Sequence, residues 1–135
     1  MRSTQPAPAA APVRFGTDGI RGVANRGPLA PDRVLELGSV VGALLHTHPR
    51  LFHNPLAKRL PAALRGPAES VRSRTVLVGR DTRASGEMIA SALAAGLLGA
   101  GWDVVDVGVV PTPALAFLTR ARGVRLGVMI TASHN

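Results

Sequence analysis

Two short strings hold most of the residues that could do chemistry. Thr131-Ala132-Ser133-His134-Asn135 follows directly on the apolar run Leu126–Ile130. A serine exposed on a rigid support beyond a strand suits a nucleophile or a phosphoryl carrier. Taken alone, the pentapeptide also fits a plain strand-to-helix loop in which Ser133 caps a following helix. His134 is the next residue, but neighbouring side chains diverge on extended backbone, so a Ser133–His134 base pair does not follow. No Gly-x-Ser-x-Gly elbow surrounds Ser133, which argues against a hydrolase. The second string, Phe15–Gly22 (FGTDGIRG), places a glycine at every third position with Asp18 and Arg21 between. Glycines let backbone approach a ligand closely, and the planar fork of Arg21 matches phosphate oxygens. The string is neither Gly-x-Gly-x-x-Gly nor a P-loop. It fits a phosphate site, and equally a glycine-rich turn in which Asp18 and Arg21 pair.

The elements that must position these residues follow from patterning. Val13–Val23 reads as a strand interrupted by a tight loop. Pro31 and Asp32 open a helix whose apolar stripe is Val34, Leu37, Val41, Leu44 and Leu45. Thr75–Val78 is a candidate buried strand. Ser85–Ala100 is a helix, with Ser85 as its cap, Glu87 at its positive end and Gly99 and Gly101 to terminate it. Asp103–Val107 is a valine-rich strand. Thr112-Pro113 is a cap and first-turn pair for a helix through Arg122, and Leu126–Ile130 is the next strand. Strands alternating with helices of ten or more residues predict an α/β fold, βαβαβ around a mainly parallel sheet. Ligands in such sheets bind beyond the carboxyl ends of the strands. Those ends here are Gly79–Arg83, Gly108–Thr112 and Thr131–Asn135. The chain stops inside the last of them, so it reads as a fragment of a longer enzyme.

Composition narrows the classes. Hydrophobic residues make up 46% and charged residues 18%, enough for a buried core. Aromatics supply only 3%, so the core is expected to be aliphatic. With no cysteine, a disulfide scaffold, a thiol nucleophile and Cys-ligated metal are excluded. No apolar run approaches the ~18 residues of a membrane span, and a cytoplasmic protein is expected. Met1–Pro12, mostly Ala and Pro, reads as an extended, disordered tail. The net charge of +8 is concentrated between His46 and Thr75, where Arg50, Lys58, Arg59, Arg65, Arg72 and Arg74 face Glu69 alone. In the same region, Pro49, Pro55, Pro61 and Pro67 recur six residues apart. This segment, about residues 48–73, is expected to be a surface insertion in a domain spanning 13–135; Pro61 would interrupt any short helix at Leu56–Leu64. Phe15, Phe52, Trp102 and Phe117 are scattered and offer no stacking platform, so nucleic acid is not expected as a partner.

Three segments in order change the weight of each. Phe15–Asn25 (FGTDGIRGVAN), Val78–Gly86 (VGRDTRASG) and Thr131–Asn135 (TASHN), with Pro111-Thr112-Pro113, resemble the α-D-phosphohexomutase superfamily. The first string looks most like its bacterial glucosamine-phosphate branch. The resemblance covers roughly Val13–Leu45 and Thr75–Asn135. It implies a three-layer domain, the first of four around one cleft, truncated at the active-site serine loop. It also implies that Ser133 carries a phosphoryl group, donating it to a hexose monophosphate and receiving the other phosphate back from a bisphosphate intermediate. By the same resemblance Arg21 and His134 join Ser133 as catalytic residues. Mg²⁺ would bind through the Ser133 phosphate and an aspartate-rich loop of a later domain, since this chain has no Asp-x-Asp-x-Asp run. The implied partners are a hexosamine or hexose phosphate and a sugar bisphosphate activator, with no membrane. A glucose- or mannose-phosphate mutase is the alternative within the family. A noncatalytic basic domain using the Pro/Arg segment is the alternative outside it.

Overall fold

The computed structural model describes residues 13–17, 19–48, 61 and 74–132. The expectations for Met1–Pro12, Asp18, the bulk of the Pro/Arg segment, Ser133 and His134 lie outside the described residues. Three strands, β1 (Thr75–Arg80), β2 (Asp103–Val109) and β3 (Leu126–Ile130), alternate with α2 (Ser85–Gly99) and α3 (Thr112–Arg122). Ahead of them comes α1 (Pro31–Thr47), entered through a short 3-10 turn at Gly27–Leu29. Both neighbours of β1 are parallel to it, and the strand order is β2-β1-β3. No described helix is long and apolar enough to cross a membrane.

The direction of the chain across the sheet decides the layering. It steps from β1 to β2 on one side, then crosses back over β1 to β3 on the other. Crossovers between parallel strands keep one hand, so reversing direction sends successive helices to opposite faces. The side chains of β1 report this. Val76 and Val78 pack with Val34 and Leu45 of α1 and with Ala90, Leu93 and Leu97 of α2. Leu77, pointing the other way, packs with Leu115 of α3 and with Val124. The result is the α/β/α sandwich expected from the sequence.

Several expectations change in detail. Among the described residues of 13–23 no strand forms. Gly16 and Gly19 make one isolated antiparallel bridge, each N–H bonding the other's carbonyl at 2.9 and 3.3 Å. Gly16 and Gly19 thus satisfy each other's main-chain groups instead of those of a neighbouring strand. The hydroxyls expected to cap helices do not do so. Ser85 and Thr112 are already inside their helices, the N-cap residues are Ala84 and Pro111, and neither helix has a side-chain cap bond. Strand β2 runs two residues beyond its expected end, through a bulge that skips Val107 in the pairing with β1. Gly108, at φ 75°, takes the turn, and its N–H donates to Asp106 Oδ1 at 2.7 Å. The core is not wholly aliphatic either: Trp102 is 3% exposed and its Nε1 donates to the Gly42 carbonyl at 2.9 Å.

The largest difference concerns α1. Leu44 of the expected stripe is 41% exposed, whereas Gly38 and Gly42 are buried. Helices α1 and α2 meet backbone to backbone. A Cβ on Gly38 would strike the Leu93 carbonyl oxygen and lie 3.1 Å from Gly96 Cα; one on Gly96 would strike the Leu35 carbonyl oxygen and lie 2.8 Å from Ser39 N. Because these neighbours are main chain, relief requires the helices to part.

Gly38→Ala and Gly96→Ala are therefore expected to destabilise the protein by about 1–2 kcal/mol, overpacking outweighing the roughly 1 kcal/mol that alanine gains in helix propensity. Gly99→Ala, where a Cβ would meet nothing within 4 Å, is expected to be neutral or stabilising. Thermal melts of the three variants check this, and an unchanged melting temperature in both Gly38→Ala and Gly96→Ala would contradict the close packing.

Candidate functional site

Parallel strands deliver their carboxyl ends to one edge of the sheet, and polar side chains begin there at once. Beyond β1 come Asp81, Thr82 and Arg83; beyond β3 come Thr131 and Ala132. The β1–β3 register ends on Arg80 opposite Ile130. One further rung follows, from Asp81 N–H to the Ile130 carbonyl at 3.0 Å. Beyond it the Asp81 side chain bonds the β3 exit. Its Oδ2 accepts the Thr131 hydroxyl and the Ala132 N–H, both at 3.1 Å. Its Oδ1 accepts the Arg83 N–H at 3.1 Å, closing an Asx turn that leads into α2. The Arg83 Nε lies 3.5 Å from Oδ2. These donors hold the Asp81 carboxyl below the usual carboxylate range, with the Ala132 and Arg83 N–H groups first among the causes and partial burial opposing them.

A second carboxylate does similar work between β1 and β2. Asp106 receives Arg80 Nη1 at 2.7 Å on both oxygens, besides the Gly108 N–H. The Arg80 stem lies against Gly86 in the first turn of α2, 3.3 Å from where a Cβ would stand. Arg80 is thus a braced, paired residue that ties the ends of β1 and β2 to the start of α2.

The order β2-β1-β3 places a topological switch between β1 and β3. In open parallel sheets this is where the crevice for a ligand forms, because the connections on its two sides leave toward opposite faces. Asp81 and Thr131–Ala132 stand at that point. Ser133 and His134 come next in the chain and lie outside the described residues. Arg21 is exposed on the segment between the Gly16–Gly19 bridge and the 3-10 turn. Among the described residues no three His, Asp or Glu side chains converge as metal ligands. Sequence reasoning singled out Gly79–Arg83 as a polar strand exit but gave Asp81 no role. Its partners lie 50 and 51 positions away, and only the register of β1 on β3 brings them together.

Comparison with known proteins agrees with this geometry. Residues 54–135 match the family model described as phosphoglucomutase/phosphomannomutase, alpha/beta/alpha domain I. A phosphoglucosamine mutase of Mycolicibacterium gilvum is 47% identical over 121 residues, covering 90% of this chain. Those of Methylibium petroleiphilum and Rhodospirillum rubrum are 47% and 45% identical over 90% of it. The chain spans 22% of the length of each of these relatives.

A lowered carboxyl has a signed consequence for stability. The folded form binds the Asp81 proton more weakly than the unfolded chain does. Its contribution is therefore present above the ordinary aspartate range and is lost as pH falls through the depressed folded value. Carbon NMR of the Asp81 carboxyl in the folded protein is expected to show a midpoint below the ordinary value of about 3.9, and Thr131→Val to move that midpoint upward. A midpoint at or above the ordinary value would contradict the bonds at the β3 exit.

Proposed function

This chain belongs to the phosphoglucomutase/phosphomannomutase family, as its alpha/beta/alpha domain I, and on that premise we propose that it serves as the first domain of a phosphoglucosamine mutase. Its reaction would interconvert glucosamine 6-phosphate and glucosamine 1-phosphate. The observation that carries the reading is the switch point between β1 and β3, occupied by Thr131 and Ala132 with Ser133 next in the chain. The relatives named phosphoglucosamine mutase support the choice of sugar.

In this reading Ser133 Oγ bears the phosphoryl group. A free sugar hydroxyl attacks phosphorus in line; the Oγ–P bond breaks, a sugar O–P bond forms, and the hydroxyl proton is balanced by protonation of Oγ. The resulting sugar bisphosphate turns over and returns its other phosphoryl group to Oγ by the reverse exchange. No phosphate is consumed, and a sugar bisphosphate primes the serine. A phosphoserine brings about −1.5 to −2 charge at neutral pH, so cations must gather there. Arg21 supplies a planar, permanently charged donor set for the phosphoryl oxygens. His134 is assigned to orienting the phosphate or moving the proton. Mg²⁺ would add Lewis-acid stabilisation of the transferring oxygens. The described residues do not gather a set of ligands for it; this chain's share would be the Ser133 phosphate. The family model's own description supports glucose or mannose phosphate as the second reading. Comparing kcat/KM for the three sugar phosphates decides between them.

Mass spectrometry of the full-length protein purified from cells is expected to map phosphate to Ser133. Ser133→Ala should abolish turnover even with a sugar bisphosphate present. Phosphate mapped elsewhere, or normal turnover by Ser133→Ala, would refute the assignment. Arg21→Lys is expected to lower kcat by more than roughly tenfold with folding intact, because charge is kept but the bidentate geometry is lost. Unchanged kinetics would return Arg21 to the glycine-rich turn as a structural residue.

A further inference from the structure

The Asp81 carboxylate gathers two strand exits at the switch point, and the phosphoryl-transfer chemistry above leaves it unused. We propose that Asp81 is a positioning residue for phosphoryl transfer: by holding the hydroxyl of Thr131 and the N–H of Ala132, it sets the direction in which the chain leaves β3 and therefore the location of the Ser133 hydroxyl. The inference rests on the reading of Ser133 as phosphoryl carrier.

The geometry gives the role to this residue type in particular. The register of β1 on β3 ends at Arg80 and Ile130, and the next two residues of the β3 exit bring an O–H and an N–H to the Asp81 carboxylate. A carboxylate is an acceptor at both oxygens and has room for several donors. Here Oδ2 takes two donors from the β3 exit while Oδ1 takes the Arg83 N–H of the β1 exit. Both oxygens are committed, so the carboxylate plane is fixed from two sides, and the bonds are charge-assisted. An asparagine of the same shape has one acceptor oxygen. Its amide group would face an N–H or O–H donor at one of the two exits, whichever way it is turned. The Ala132 N–H belongs to the residue covalently preceding Ser133, so freedom at this bond passes directly to the serine. An in-line transfer tolerates little such freedom, since a misplacement of about 1 Å costs of order 10²-fold in rate.

The test uses the full-length mutase and compares Asp81→Asn, Asp81→Ala, Thr131→Val and Ser133→Ala. Three quantities are read: kcat and KM per folded molecule, the rate at which a sugar bisphosphate phosphorylates Ser133, and the melting temperature. Asp81→Asn is expected to lower both kcat and the Ser133 phosphorylation rate roughly tenfold or more while KM stays within about twofold, the pattern of an interaction that matters in the transition state. Thr131→Val, which keeps the Ala132 bond, should show a smaller loss of the same kind. A purely structural role would lower the melting temperature and leave kcat per folded molecule unchanged, and that result overturns the proposal. Should Asp81→Ala fail to fold, the isosteric Asp81→Asn decides. If Ser133→Ala loses all turnover while Asp81→Asn keeps the full rate, only the positioning role falls. If Ser133→Ala keeps turnover, the serine reading and the positioning role fall together.

Discussion

Strand β1 is hydrogen-bonded along both edges and covered on both faces, and its residues from Thr75 to Gly79 are all buried. Both neighbours run parallel to it, so neither can be reached by a tight turn; each needs a crossover. From this one arrangement comes the placement of α2 and α3 on opposite faces. The two separate core clusters of Val76/Val78 and of Leu77 follow too, as does the convergence of all three carboxyl ends at one edge. Buried so fully, β1 exposes its main-chain groups to no water, and the ladder on both sides must satisfy them. The switch point between β1 and β3 is then a consequence of connectivity and not of any one polar residue.

Packing outside the sheet is organised around main chain as much as side chains. α1 reaches the core through Val34 and Leu45, but its approach to α2 is limited by Gly38 and Gly96, where only hydrogen atoms stand between the two backbones. That approach brings α1 close enough for the Gly42 carbonyl to receive the Trp102 indole at the turn between α2 and β2. His46 adds a tilted ring contact at 4.8 Å and its Nε2 lies 3.0 Å from the Ala100 carbonyl oxygen. An aliphatic core with few aromatics thus gains a single large, hydrogen-bonded anchor where the helix pair meets the sheet. Burial of a large apolar side chain contributes roughly 1.5–3 kcal/mol, so Trp102, Leu45 and Leu97 are central to holding the outer helix.

At the carboxyl edge one electrostatic device is used twice. Asp81 and Asp106 each receive a main-chain N–H two residues ahead and also bind a neighbouring strand exit or an arginine. Strands that end without a further partner leave donors facing water. A short carboxylate answers these donors without a further turn of backbone. The cost in flexibility is low because Gly108 adopts the positive φ that the second of these turns requires. The same edge therefore combines rigid strand ends with polar groups already oriented.

The sequence by itself determined the three helices and the three paired strands and where each begins, because periodicity and β-branched runs report local burial. Leu126–Ile130 and Thr112–Arg122 stand as read. It also marked the polar strand exits and the three strings that identify the family. Where local cues competed, they misled. Ser85 and Thr112 have capping hydroxyls, but each is the first helical residue, and the cap positions fall to Ala84 and Pro111. Leu44 continues a helical stripe, but the stripe that meets α2 runs through glycines, which carry no apolar side chain to count. The order β2-β1-β3, the burial of Trp102 and the bonds of Asp81 to Thr131 and Ala132 were decided only by tertiary structure. Each joins residues tens of positions apart, and no local pattern encodes which strand lies beside which. That choice depends on the handedness of crossovers and on packing both faces of β1 at once.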